Sequence, residues 1–201
     1  MNKKIFITVI YLMLNSVNSQ PTISLETDHD PFTPNVYFKD VSDFFLNFNG
    51  TFQHVNGEEK LTEVLKKITS YYNGINYKHL IIGELKFEIG VLTIIDNLNK
   101  INQNLPNKYL HDIVGNSILQ HNHLPKCPDC SVNEKRVRLI YFGKGNNNIG
   151  GNMVIRVVPT LIGEAKKIKV TIYYDHQILE NNEIAIEPFI KSGDYIFTKI
   201  D

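Results

Sequence analysis

His111, His121, His123, Cys127 and Cys130 fall within twenty residues of one another and gather both cysteines with three of the seven histidines. His-x-His and Cys-x-x-Cys spacing suits a tetrahedral zinc site, in which two imidazoles and two thiolates fill every coordination position. Such a site is closed, and its role is structural. His121 and Cys130 bracket only a short stretch that contains Pro125 and Pro128, tighter than zinc modules usually allow between their ligand pairs. The competing chemistry is oxidation. Cys127-Pro-Asp-Cys130 closes a tight turn, and paired cysteines in an exported protein oxidise by default. A Cys127–Cys130 disulfide is therefore expected, with zinc on His121, His123, Cys127 and Cys130 as the alternative and no other cofactor. A thioredoxin-like role is disfavoured, because that motif opens a helix after a strand and this one follows a helix-like stretch and precedes a strand-like one.

Other acid–base pairings carry less. Asp28-His29-Asp30 and Asp175-His176 place carboxylates beside imidazoles, but adjacency along the chain suits a solvated loop as well as a site. Glu84, Glu88 and Asp96 are candidates for a carboxylate pair, and surface carboxylates are far commoner. Neither a Gly-x-Ser-x-Gly elbow nor a His-Glu-x-x-His helix occurs. Gly143-Lys-Gly-Asn-Asn-Asn-Ile-Gly-Gly151 lacks the Gly-Lys-Ser/Thr ending of a phosphate loop and reads as a flexible hairpin loop.

The compartment follows from residues 1–19. Lys3 and Lys4 precede the apolar run Ile5 to Leu14, and Val17-Asn18-Ser19 offers small or slim residues for cleavage. The run is about half the roughly 20 residues a spanning helix needs, so a signal peptide is expected, with no transmembrane segment and a secreted product. The chain carries 21 basic and 21 acidic side chains, and only Arg136, Arg138 and Arg156 are arginines. A near-neutral surface poor in arginine excludes nucleic acid as a partner. Asn49-Gly50-Thr51 is the one glycosylation sequon, with Asn49 as acceptor.

Residues 20–56 hold Pro21, Pro31 and Pro34 and the aromatics Phe32, Tyr37, Phe38, Phe44, Phe45, Phe48 and Phe52, which predicts an extended arm packed across a single domain over 57–201. Leu61, Val64, Leu65, Ile68 and Tyr71 recur at helical spacing between Asn56 and Gly74. Leu85, Phe87, Ile89 and Val91 alternate as a strand; Val91, Ile94, Ile95, Leu98 and Ile101 return to helical spacing, and a third helix is predicted over Lys108 to Gln120. Beyond the cysteines the period is two, over 136–141, 153–158 and 167–174, with shorter runs at Ile184 to Ile186 and Tyr195 to Phe197. The expected fold is α+β, with N-terminal helices on one face of a sheet of four or five mainly antiparallel strands. The expected function is non-catalytic binding of an extracellular protein or a small apolar ligand. A secreted metal-dependent hydrolase near His111, His121 and His123 is the alternative.

Overall fold

The computed structural model describes residues 20–174 and 187–201. The expected signal peptide, Asp175-His176 and the run at Ile184 to Ile186 lie outside the described residues. The elements are β1 (Thr22–Ser24), β2 (Tyr37–Lys39), β3 (Gly50–Asn56), β4 (Glu59–Tyr72), β5 (Tyr77–Ile89), β6 (Leu92–Asp96), β7 (Ile113–Leu119), β8 (Arg136–Tyr141), β9 (Gly151–Val158), β10 (Lys167–Tyr173) and β11 (Gly193–Lys199). Among the described residues helical structure is limited to short 3-10 turns at Phe44–Phe48, Leu98–Asn102 and Lys108–Leu110.

Eight strands close into an antiparallel barrel in chain order, β3–β4–β5–β7–β8–β9–β10–β11, with β11 returning to β3. β6 folds back along the end of β5, and β1 and β2 form a parallel flap on the start of β5. This corrects the expected α+β fold: strands stand where helices were predicted. The predicted domain boundary falls in the β3–β4 turn, so the last part of the arm is itself barrel wall.

The helical spacing of 61–71 arises because both faces of β4 are covered. Leu61 and Leu65 point into the barrel core, while Val64, Ile68 and Tyr71 pack outside against a second cluster of Leu80, Ile82, Ile101 and Val114. A bulge between Ile68 and Tyr71 then shifts the register. With apolar residues on both faces, the two-residue alternation that marks a half-wet strand disappears. β8, β9 and β10 have one wet face and keep it: Val137, Leu139, Ile155, Ile168 and Val170 are buried, and Arg138, Arg156, Lys167 and Lys169 alternate with them on the outer side.

Side chains fill the barrel axis. Phe52, Leu65, Ile81, Leu85, Tyr141, Met153, Ile172 and Phe197 belong to one buried cluster, as an eight-stranded closure requires when no ligand occupies it. The aromatic arm joins that cluster through Phe38, Phe45 and Phe48. Asp40 fixes the turn that carries the last two, its carboxylate accepting from the Phe44 and Phe45 amides at 2.9 Å and from Lys67 Nζ at 2.8 Å. Where β8 turns into β9, the Asn-rich loop is firmly built. Asn146 is buried, accepts from the Ile190 amide at 2.8 Å and donates to the Tyr174 hydroxyl at 3.0 Å. Gly143 makes this turn possible, because a Cβ there would stand 1.9 Å from the Ile149 carbonyl oxygen and its φ is +61°.

Phe197 lies wholly within the core and tests this packing. Phe197→Ala is expected to lower the unfolding free energy by about 3–5 kcal/mol, read from urea denaturation followed by far-UV circular dichroism.

Candidate functional site

Glu84, His111 and Asp112 form a cluster of titratable side chains in the interior, and all three are fully buried. Glu84 faces outward from the barrel on β5, alternating with the inward Gly83 and Leu85. His111 and Asp112 reach it from the end of the 3-10 turn at Lys108–Leu110, just before β7. His111 Nδ1 is 2.6 Å from Glu84 Oε1, and the Asp112 amide donates to Glu84 Oε2 at 3.3 Å. Asn97 donates to Asp112 Oδ2 at 2.8 Å, and Lys100 Nζ stands 4.0 Å from Asp112 Oδ1.

Burial pushes the Glu84 carboxyl up, the neighbouring Asp112 charge adds to the effect, and burial pushes His111 down. Both causes favour an uncharged pair, with the Glu84 hydroxyl donating to Nδ1. A His–carboxylate pair is the machinery of a general base. Here it is sealed beneath the 97–112 segment, and its effect is to fasten that segment to the barrel wall.

The cluster read from the sequence is divided by the fold. Cys127 and Cys130 are joined as a disulfide, which leaves no thiolate for zinc. His111 is engaged with Glu84, while His121 and His123 sit in the turn after β7. Among the described residues no group of three or more His, Cys, Asp or Glu side chains could hold a metal ion. The disulfide loop is instead organised by Arg136. This arginine is 2% exposed; it donates to the Pro125 carbonyl at 2.6 Å and to the Gln120 and His123 carbonyls at 3.1 and 3.0 Å.

A cleft of about 700 Å³ opens between the N-terminal arm and the barrel wall. Leu25 to His29 and Pro31 line one side; Asn116 to Gln120, His123, Leu124 and Arg138 line the other. This brings together His29 with Asp28 and His123, which are distant in sequence, and adds Arg138. The arm side is anchored: Lys135 Nζ donates to Glu26 Oε2 at 2.6 Å and Ser42 donates to Oε1 at 2.5 Å, which together hold the Glu26 carboxyl below its ordinary range.

The two imidazoles are orientated by backbone groups. His29 stacks on Phe38 at 4.5 Å, and its Nδ1 donates to the Thr27 carbonyl at 2.7 Å, so Nε2 is the acceptor of the neutral ring. His123 Nδ1 accepts from the Gln120 amide at 3.2 Å, so its Nε2 carries the proton. Arg138 is exposed on the outer face of β8 and has no partner among the described residues.

A second cleft, about 570 Å³, contains Asn49, Lys66, Lys67 and His79. Two of its cationic or ring groups already serve the fold: Lys67 holds Asp40 and Asp43 at 2.8 Å, and His79 Nε2 lies 2.6 Å from the Tyr37 hydroxyl. Asn49 is exposed, and its side-chain oxygen accepts from the Lys67 amide at 3.1 Å. Glu88 and Asp96 lie in surface ion pairs with Lys60 and Lys86. Sequence reasoning did not pair Glu84 with His111 and gave Arg138 no role. The one local signal for Glu84 was a carboxylate inside the apolar run Leu80 to Phe87.

His111→Ala leaves Glu84 buried without its acceptor and is expected to reduce stability by about 1–3 kcal/mol in urea denaturation. The Cys127→Ser/Cys130→Ser double variant opens only a four-residue ring and is expected to lose no more than about 2 kcal/mol in the same measurement.

No curated protein and no solved structure matches this chain. Residues 1–200 match a family described as of unknown function, DUF6705, and the chain belongs to that family.

Proposed function

We propose that this protein is exported from the cell and acts there as a non-catalytic binding protein, with the arm–wall cleft as its site. The observation that carries the reading is Arg138, an unpartnered guanidinium in a cleft of ligand-sized volume whose two imidazoles, His29 and His123, are held in fixed orientation. Guanidinium geometry matches a carboxylate or phosphate in two parallel hydrogen bonds, and the Nε2–H of His123 supplies a further donor. The ligand is accordingly a small molecule or chain terminus bearing an anionic group. A small apolar ligand held inside the barrel is not carried forward, because Phe52, Met153, Phe197 and their neighbours occupy that space.

Export is supported by the leader-like residues 1–19 and by the Cys127–Cys130 disulfide, a bond that persists in oxidising compartments. Among the described residues no helix is long and apolar enough to cross a membrane. Over β8, β9 and β10 the wall turns Arg138, Arg156, Lys167 and Lys169 outward and apolar side chains inward, the reverse of the pattern of a membrane-spanning strand. Asn49 stands exposed for glycan attachment if the export route glycosylates. Metal-dependent hydrolysis gains no support from this arrangement, since His111 is sealed against Glu84.

Thermal-shift titration with succinate and with inorganic phosphate tests the site. At least one probe is expected to raise the wild-type melting temperature by 2 °C or more at millimolar concentration, about 0.5 kcal/mol of linkage for a chain this long, and Arg138→Met should abolish the gain. No shift with either probe, or an equal shift in the variant, would contradict the assignment.

A further inference from the structure

Glu63 projects from the middle of β4 into the barrel, paired with Phe52 on β3 and Leu85 on β5. It is fully buried, and neither of its carboxyl oxygens has a hydrogen-bond partner. A carboxyl in such surroundings is tolerable when protonated and strongly disfavoured when charged. We propose that Glu63 is a proton-operated lock on the barrel: protonated, it permits closure, and ionised, it loosens the wall at the seam between β3 and β11. That seam is the shortest in the barrel. Its ladder covers Gln53–Thr198 and Phe52–Lys199 alone, and Phe52 is also the cross-strand neighbour of Glu63.

No charged group offsets the carboxylate from any element packed around it. On β3 the nearest titratable side chain of the same face is His54, which bonds the Ile196 carbonyl at 2.9 Å. On β11, Lys199 turns to Asp201 at 3.7 Å, and Tyr195 donates to the Lys191 carbonyl. On β4 itself Lys67 is held by Asp40 and Asp43. β8 contributes Tyr141, whose hydroxyl burial keeps protonated. The inward positions of β5, β7, β9 and β10 include Leu85, Ile113, Met153, Ile155, Ile168 and Val170, all apolar.

Desolvation accordingly raises the Glu63 carboxyl from 4.5 to about 8. The closed barrel therefore binds this proton more tightly than the open chain does. Its contribution to closure is complete below pH 4.5 and is lost as pH rises through 8.

Hydrogen exchange read by mass spectrometry between pH 6 and pH 9, corrected for intrinsic rates, tests the lock on the secreted protein. Protection of the β3 and β11 amides is expected to fall about 100-fold further in wild type than in Glu63→Gln over this range, the fall left in the variant being the share of Glu84. Glu63→Leu provides the same comparison if an unsatisfied amide prevents Glu63→Gln from folding. A level wild-type profile overturns the proposal. So does a fall of the same size in the substituted proteins, which would assign the effect to Glu84.

Discussion

Closing eight strands into one barrel fixes nearly everything else in this molecule. At this strand number the interior accommodates side chains and little more, so each wall strand must deliver bulky apolar groups inward at alternate positions. Phe52, Leu65, Ile81, Tyr141, Met153, Ile172 and Phe197 do so. The arm then completes the core through Phe38, Phe45 and Phe48, and the Asn146–Tyr174–Ile190 network secures the connection where β8 turns into β9. The clefts of ligand size accordingly lie outside the packed axis.

The outer face is covered unevenly, and this explains which parts of the fold the sequence revealed. Over β8, β9 and β10 one face meets water, so Val137, Leu139, Ile168 and Val170 alternate with lysines and arginines, and these strands were legible. Over β4, β5 and the start of β7, a second apolar layer around Leu80, Ile82, Ile101 and Val114 covers the outside. There Val64 and Ile68 are as apolar as Leu61 and Leu65, and their combined spacing imitates a helix. Glu63 added to the misreading, since a glutamate at an inward position breaks the pattern at the place where it matters most. Local propensity gave way to tertiary burial.

The candidate site was legible only in fragments. His29 and His123 were visible as residues, but no local pattern announces that the arm folds back beside the end of β7, a placement set by the Lys135–Glu26 bridge and by Phe38 in the core. The histidine–cysteine cluster was conspicuous in sequence because turns collect such residues. The fold assigns its members to separate tasks: a disulfide, a buried pair with Glu84, and one wall of a cleft. Chemistry concentrated along the chain was dispersed in space, and the cleft was assembled from residues far apart.

Binding of an anionic ligand between arm and wall, the function proposed above, has a direct physical readout. Amide chemical-shift mapping of the ¹⁵N-labelled protein during titration with succinate tests it most directly. Perturbations confined to residues 25–31, 116–124 and 138, saturating together, are the expected result. Perturbations centred on Lys67 and His79, or none at all, would contradict it.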